Sequence, residues 1–74
     1  MSLRDFISEN GDFQKIELVY SKPYEEFWTE DFSIDSDRLY WEDKSVDLNT
    51  IGTKKKDGLL IDIDGESVLL VLTS

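Results

Sequence analysis

Apolar and polar residues alternate with a period of two along much of this chain. The alternation is clearest from Gly58 to Thr73, which reads GLLIDIDGESVLLVLT. Leu59, Ile61 and Ile63 alternate with Leu60, Asp62 and Asp64, and Val68 to Leu72 is apolar at every position. The Asp64-Gly65 pair between the two runs is a favoured two-residue hairpin turn, because glycine takes φ > 0 freely and aspartate tolerates it better than most residues. With that pair at the centre, Ile63 faces Glu66, Ile61 faces Val68 and Leu59 faces Leu70. The other face pairs Leu60 with Leu69 and Asp62 with Ser67. A three-residue loop would shift the register by one and turn one strand's faces over. A run with no polar face predicts a central strand covered on both sides, and the cover must come from upstream.

Upstream, Ser2-Leu3-Arg4-Asp5 has the form of a capping box with Asp in place of Glu. Leu3, Phe6 and Ile7 follow at helical spacing, and Asn10-Gly11 can close the helix in the left-handed conformation. The spacing predicts a helix over 3–9, too short to stand alone and therefore docked on the sheet. Ile16, Leu18 and Tyr20 alternate with Lys15, Glu17 and Val19, a strand with one apolar face. Ser21-Lys22-Pro23 ends that strand and reads as the start of a second helix, with Ser as cap and Pro in the first turn. Tyr24, Phe27, Trp28 and Asp31 would then share one helical face, with Glu25 and Glu26 near the positive end of the dipole. From Phe32 the period returns to two: Phe32 and Ile34, then Leu39 and Trp41, then Val46 and Leu48. Glu42-Asp43-Lys44 reads as a turn and residues 49–56 as a loop. The fold class is α+β: a single small domain, 1–74, with an antiparallel sheet of about four to five strands, two short helices on one face and a C-terminal hairpin.

Composition narrows the chemistry. A domain of 74 residues buries a modest fraction of its surface. There is no cysteine and no histidine, so disulfides, thiolate chemistry, the usual general base near neutral pH and the commonest metal ligand are all missing. The longest apolar run, Val68 to Leu72, is far too short to span a bilayer. No basic segment followed by an apolar stretch opens the chain, and a cytoplasmic location is the expectation. Seventeen acidic against eight basic residues give a net charge of −9, which repels nucleic acid and anionic membranes and attracts basic surfaces. Nine aromatic residues and 39% apolar content favour a packed core over disorder.

Asp62-Ile63-Asp64-Gly65-Glu66 looks at first like a calcium loop. Aligning Asp62 and Asp64 with the third and fifth positions of an EF-hand puts Leu60 first and Val71 last, and neither can bind calcium. Asp35 and Asp37, or Asp62 and Asp64, could lie on one strand face about 7 Å apart, a spacing compatible with two-carboxylate glycoside chemistry. Seventeen acids make such pairs unavoidable, and no serine or threonine has a histidine to activate it. No catalytic residue, metal ligand or cofactor is expected. Lys54-Lys55-Lys56 is the one basic cluster and reads as a solvated loop tip.

The stretch Tyr24 to Asp43, YEEFWTEDFSIDSDRLYWED, carries the strongest bias, with eight carboxylates and one base, Arg38. Such an array could imitate the phosphates of duplex DNA, which carries one charge per about 1.7 Å of axis. The candidate partner-binding residues are Glu25, Glu26, Glu30, Asp31, Asp35, Asp37, Tyr40, Glu42 and Asp43. Phe27, Phe32 and Trp41 are expected in the core, and Tyr24 and Tyr40 outside it. The chain is expected to be a non-enzymatic acidic binding protein. One function is a viral inhibitor that imitates nucleic acid and occupies the basic surface of a DNA- or RNA-handling enzyme. The alternative is a structural or adaptor subunit that docks in an assembly through an aromatic patch or an edge strand. Neither needs direct nucleic-acid or membrane contact. Size and charge alone are shared with phage inhibitors of DNA repair and defence enzymes and with nuclease-toxin immunity proteins.

Overall fold

The hairpin lies where the alternation predicts it, in the predicted register. In the computed structural model, which describes residues 1–74, α1 (Leu3–Asn10) is followed by β1 (Lys15–Ser21), β2 (Tyr24–Thr29), β3 (Phe32–Asp35), β4 (Arg38–Trp41), β5 (Lys44–Asp47), β6 (Thr53–Lys54), β7 (Leu59–Ile63) and β8 (Glu66–Thr73). Ile63 pairs with Glu66, Ile61 with Val68 and Leu59 with Leu70. Asp64 and Gly65 take φ of 52° and 82°, as a turn with two left-handed central residues requires. The Asp62 carboxylate accepts the Gly65 N–H at 2.9 Å, so this acid closes the turn.

The strands form two antiparallel sheets. The larger runs β2-β1-β8-β7-β6 and the smaller β3-β4-β5. This corrects the expected single sheet of about four to five strands. It also corrects the second helix, because Tyr24–Thr29 is a strand paired with β1 from Ser21↔Tyr24 to Ile16↔Thr29. Lys22-Pro23, joined by a cis peptide bond, forms the two-residue corner between them. Proline suits a hairpin corner as well as a helix start. The residues that follow, Tyr, Phe, Trp and Thr, favour strands, and a lone helix of about eight residues has little intrinsic stability.

The first helix forms as expected. Ser2 Oγ accepts the Asp5 N–H at 3.2 Å, and Gly11 leaves the helix at φ 62°, where glycine pays least steric cost. Leu3 N–H donates to Thr50 O, Arg4 N–H to Leu48 O and Gly52 N–H to Met1 O. These bonds tie the N-terminus to the segment read as a loop, which contains β6 and a bridge between Ser2 and Ile51.

One hydrophobic core joins the elements. Ile16, Leu18, Leu59, Ile61, Ile63, Val68 and Leu70 of the large sheet meet Leu39, Trp41 and Val46 of the small one, with Leu48 and the helical Leu3 and Phe6. Burying each aliphatic side chain contributes about 1.5–3 kcal/mol. Phe27 and Phe32 pack partly buried against this core, and Phe32 stacks on Phe13 at 5.2 Å. The small sheet and the helix therefore cover the same face of the large sheet. β8 is central, as its apolar run implies, but only its Val68 and Leu70 side is fully covered.

The two turns of the small sheet hold non-glycine residues at positive φ, Ser36 at 56° and Glu42 at 50°. Both occupy the first turn position, which favours glycine. Ser36→Gly is expected to raise stability by about 0.5–1 kcal/mol, less than the full strain because glycine also loosens the unfolded chain. An unchanged or lower urea midpoint would show that Ser36 carries no relievable strain.

Candidate functional site

Strand pairing sorts the side chains of the large sheet onto two faces. Facing away from the core are Lys15, Glu17 and Val19 of β1, in register with Val71 and Leu69 of β8 and with Trp28 and Glu26 of β2. Leu60 and Asp62 extend this face across β7. Val19, Leu60, Leu69 and Val71 are half-buried, whereas Tyr24 is 73% and Trp28 59% exposed. The result is an aliphatic strip along the central strands with two large aromatics on the edge strand beside it. Carboxylates are interspersed, and Lys15 is the one base among these residues. Its Nζ sits 4.9 Å from the Trp28 ring centroid, a cation–π contact of about 0.5–1 kcal/mol at an exposed site. Tyr24 donates its hydroxyl to Glu26 at 2.5 Å. That hydrogen bond, and next the charge of Glu26, raises the Tyr24 phenol above its ordinary value.

A second feature opens between the two sheets. Tyr20 and Phe27 of the large sheet and Trp41 of the small one wall a cleft of about 270 Å³. Glu25, Glu42, Glu66 and Lys44 complete its lining. Glu25 is opposite Tyr20 in the β1–β2 register, and Glu66 is two residues before Val68, which faces Tyr20 from β8. Burial pushes the Tyr20 phenol above its ordinary value; Lys44 lowers it, and Glu66, Glu25 and Asp64 raise it again. A phenol raised in the fold stabilises fully while the phenols of both states stay protonated, below the ordinary value near pH 10. Stability is then lost as pH rises through and beyond that value. Tyr20→Phe is expected to flatten the alkaline limb of melting temperature against pH; an unchanged limb above pH 10 would assign it to other groups.

All nine candidate residues from the sequence are exposed, but they do not form one array. Because β2 is a strand, Glu25 and Glu26 point to opposite faces. Glu25 and Glu42 share the inter-sheet cleft. Asp31, Tyr40 and Glu42 share a neighbouring hollow of about 210 Å³. Asp35 and Asp37 lie at the β3–β4 turn, and Glu42 and Asp43 at the β4–β5 turn. The four-residue β4 between them spans about 10 Å. Glu30 precedes Asp31 in the link from β2 to β3. Arg38 donates through its guanidinium to Ser45 Oγ at 3.2 and 3.1 Å. Asp37 and Asp64 stand in turns, so neither candidate acid pair faces out along one strand. No group of three or more acids, among the residue types present, is arranged to hold a metal ion. Lys54 places its ammonium 5.7 Å from the Phe6 ring, and Lys55 N–H donates to Gly58 O, so this cluster is built into the β6–β7 connection.

Reading residues 24–31 as a helix hid the alignment of Trp28 with Lys15, Val19, Leu69 and Val71. The available signal was the β8 run itself, apolar on both faces. No protein-family model, curated protein or solved structure matches the chain. No helix is long and apolar enough to cross a membrane.

Proposed function

We propose that this is a non-enzymatic binding protein that docks on a basic protein partner through the outer face of its large sheet. The observation that carries the reading is the half-covered central strand. Leu69 and Val71 of β8 continue an apolar strip whose second side no element of the chain fully covers, and Trp28 and Tyr24 stand beside it. Exposed aromatics bordered by polar groups are the usual anchors of protein interfaces. Charge selects the partner. Glu17, Glu26 and Asp62 against Lys15 make the face acidic within a chain of net charge −9, so a second copy would oppose like charges and a basic surface would not. The free edge β2 presents Glu25 and Glu26, which likewise discourages pairing with itself.

A second reading, a viral inhibitor that imitates nucleic acid, is favoured by the charge excess of residues 24–43. Arg38, the one base there, gives its hydrogen bonds to Ser45. Affinity capture with three baits separates the readings: wild type, Trp28→Ala with Leu69→Ser, and a triple reversal of Asp35, Asp37 and Asp43 to Lys. Docking through the sheet face requires the double variant to lose the partner at all salt concentrations. Imitation of nucleic acid requires the triple reversal to lose it, with release of the wild type near ~0.5 M salt, where charges are screened within a few ångströms. Sedimentation of the wild type as a dimer through the same face would overturn the basic-partner reading.

A further inference from the structure

We propose that the inter-sheet cleft is a receptor for one organic cation, the ammonium or guanidinium end of a Lys or Arg side chain. This goes beyond the docking reading and can fail independently of it, because the cleft opens between the sheets and not on the outer face that carries Trp28. Size sets the class of occupant. At about 270 Å³ the cleft is below the roughly 300–1,000 Å³ of drug-sized ligand sites, which suits a side chain better than a cofactor. Its walls set the chemistry. Tyr20 and Phe27, both half-buried, wall the cleft with two partly accessible aromatic rings over the buried Trp41, and an aromatic ring attracts a cation that reaches its face through the ring quadrupole. Trp41 is 2% exposed, held at depth by the core, so its ring is positioned before any ligand arrives. Glu25, Glu42 and Glu66 stand exposed around these rings. Three carboxylates against Lys44 leave two negative charges uncompensated at the lining.

These residues are distant in sequence but meet for definite reasons. Cross-strand register places Glu25 beside Tyr20, and the β7–β8 turn delivers Glu66 to the same end of the large sheet. The β4–β5 turn carries Glu42 and Lys44 across from the small sheet. Lys44 is the chain's own cation at the site and would compete with a ligand. Removing its charge should therefore tighten binding, whereas removing a carboxylate or a ring should weaken it. A purely solvated acidic rim would weaken on loss of a carboxylate but not on loss of a ring.

The test is a nuclear magnetic resonance titration of the full chain with n-butylammonium chloride, against sodium chloride at equal ionic strength. Saturable shifts are expected at the Trp41 indole and the amides of Tyr20, Glu25, Glu42 and Glu66, with a Kd in the millimolar range. Glu66→Gln and Phe27→Leu should each weaken it about 3–10-fold, and Lys44→Gln should tighten it by a similar factor. Glu66 is exposed, so its variant keeps the test valid if Phe27→Leu lowers stability. Shifts no larger than those from sodium chloride, shifts centred on Trp28, or equal affinity in Glu66→Gln and wild type would each overturn the proposal. If butylammonium fills the cleft but capture through the Trp28 face fails, the docking reading falls and the cleft stands.

Discussion

Replacing Gly58 with alanine is expected to lower the unfolding free energy by about 3 kcal/mol, the upper end of what overpacking a tight site costs. A domain of this length has a total of only about 4–11 kcal/mol. Gly58 is buried where the chain enters β7, and a β-carbon there would collide with the Leu70 carbonyl oxygen of the central strand. It would also stand 3.1 Å from the Leu70 carbonyl carbon and from Val71 Cγ2. Backbone in a central strand cannot step aside as a side chain would, so β7 must move away from β8. Gly65 provides the contrast. A β-carbon there meets nothing within 4 Å, but the residue sits at φ +82°. Gly65→Ala is therefore expected to cost about 1 kcal/mol, all of it conformational. Urea denaturation of the two variants checks the order; a Gly58→Ala midpoint equal to that of Gly65→Ala would show that β7 accommodates the methyl group.

The same contrast shows where the fold was legible. Asp64-Gly65 is a local signal, and the turn type, register and face assignment follow from it without knowledge of the rest of the chain. Ser2 and Gly11 mark the helix ends in the same local way. The corner at Lys22-Pro23 is different, because proline after serine suits both a helix start and a hairpin. What decides it is a distant requirement: β1 already has Leu18 buried and offers a second edge, which Phe27 occupies by pairing with Leu18. The division into two sheets is also non-local. β3, β4 and β5 have the alternation of any antiparallel strands, and nothing in their pattern says whether they extend the large sheet or pack across it.

The candidate site was legible in its charge and obscure in its geometry. Counting carboxylates from Tyr24 to Asp43 identifies an acidic region whatever its conformation. Placing them requires the period, and changing from 3.6 to 2 moves Glu25 into the cleft and Glu26 to the outer face. The acids that meet in the cleft include Glu66, outside that stretch altogether. The apolar surplus of β8 was legible too. Its rule, that a strand without a polar face wants cover on both sides, is met by the chain on one side only. The unsatisfied half of that rule supports the docking reading more directly than does the net charge.

Trp28→Ala is expected to weaken capture of a basic partner by about 30–1,000-fold, the equivalent of losing about 2–4 kcal/mol at a central aromatic anchor. The fold should hold, because Trp28 is 59% exposed and outside the core; exposed substitutions of this kind usually change stability by about 0.5 kcal/mol or less. The loss should appear in the dissociation rate, since an anchor acts after contact. Reversing Glu26 should act differently, slowing association and steepening at low salt, because a rim charge steers the approach. Reversal of Asp35 or Asp37, at the β3–β4 turn, should cost a few tenths of a kcal/mol, as exposed charges commonly do. Imitation of nucleic acid expects the inverse pattern. There the turn acids carry the affinity, DNA competes for the partner, and Trp28→Ala is nearly silent. Association and dissociation rates for Trp28→Ala, Glu26→Lys and Asp35→Lys at two salt concentrations decide between them. A partner held with unchanged residence time by both Trp28→Ala and Tyr24→Ala would end the case for the sheet face, because these two side chains are the large exposed aromatics a partner could bury there.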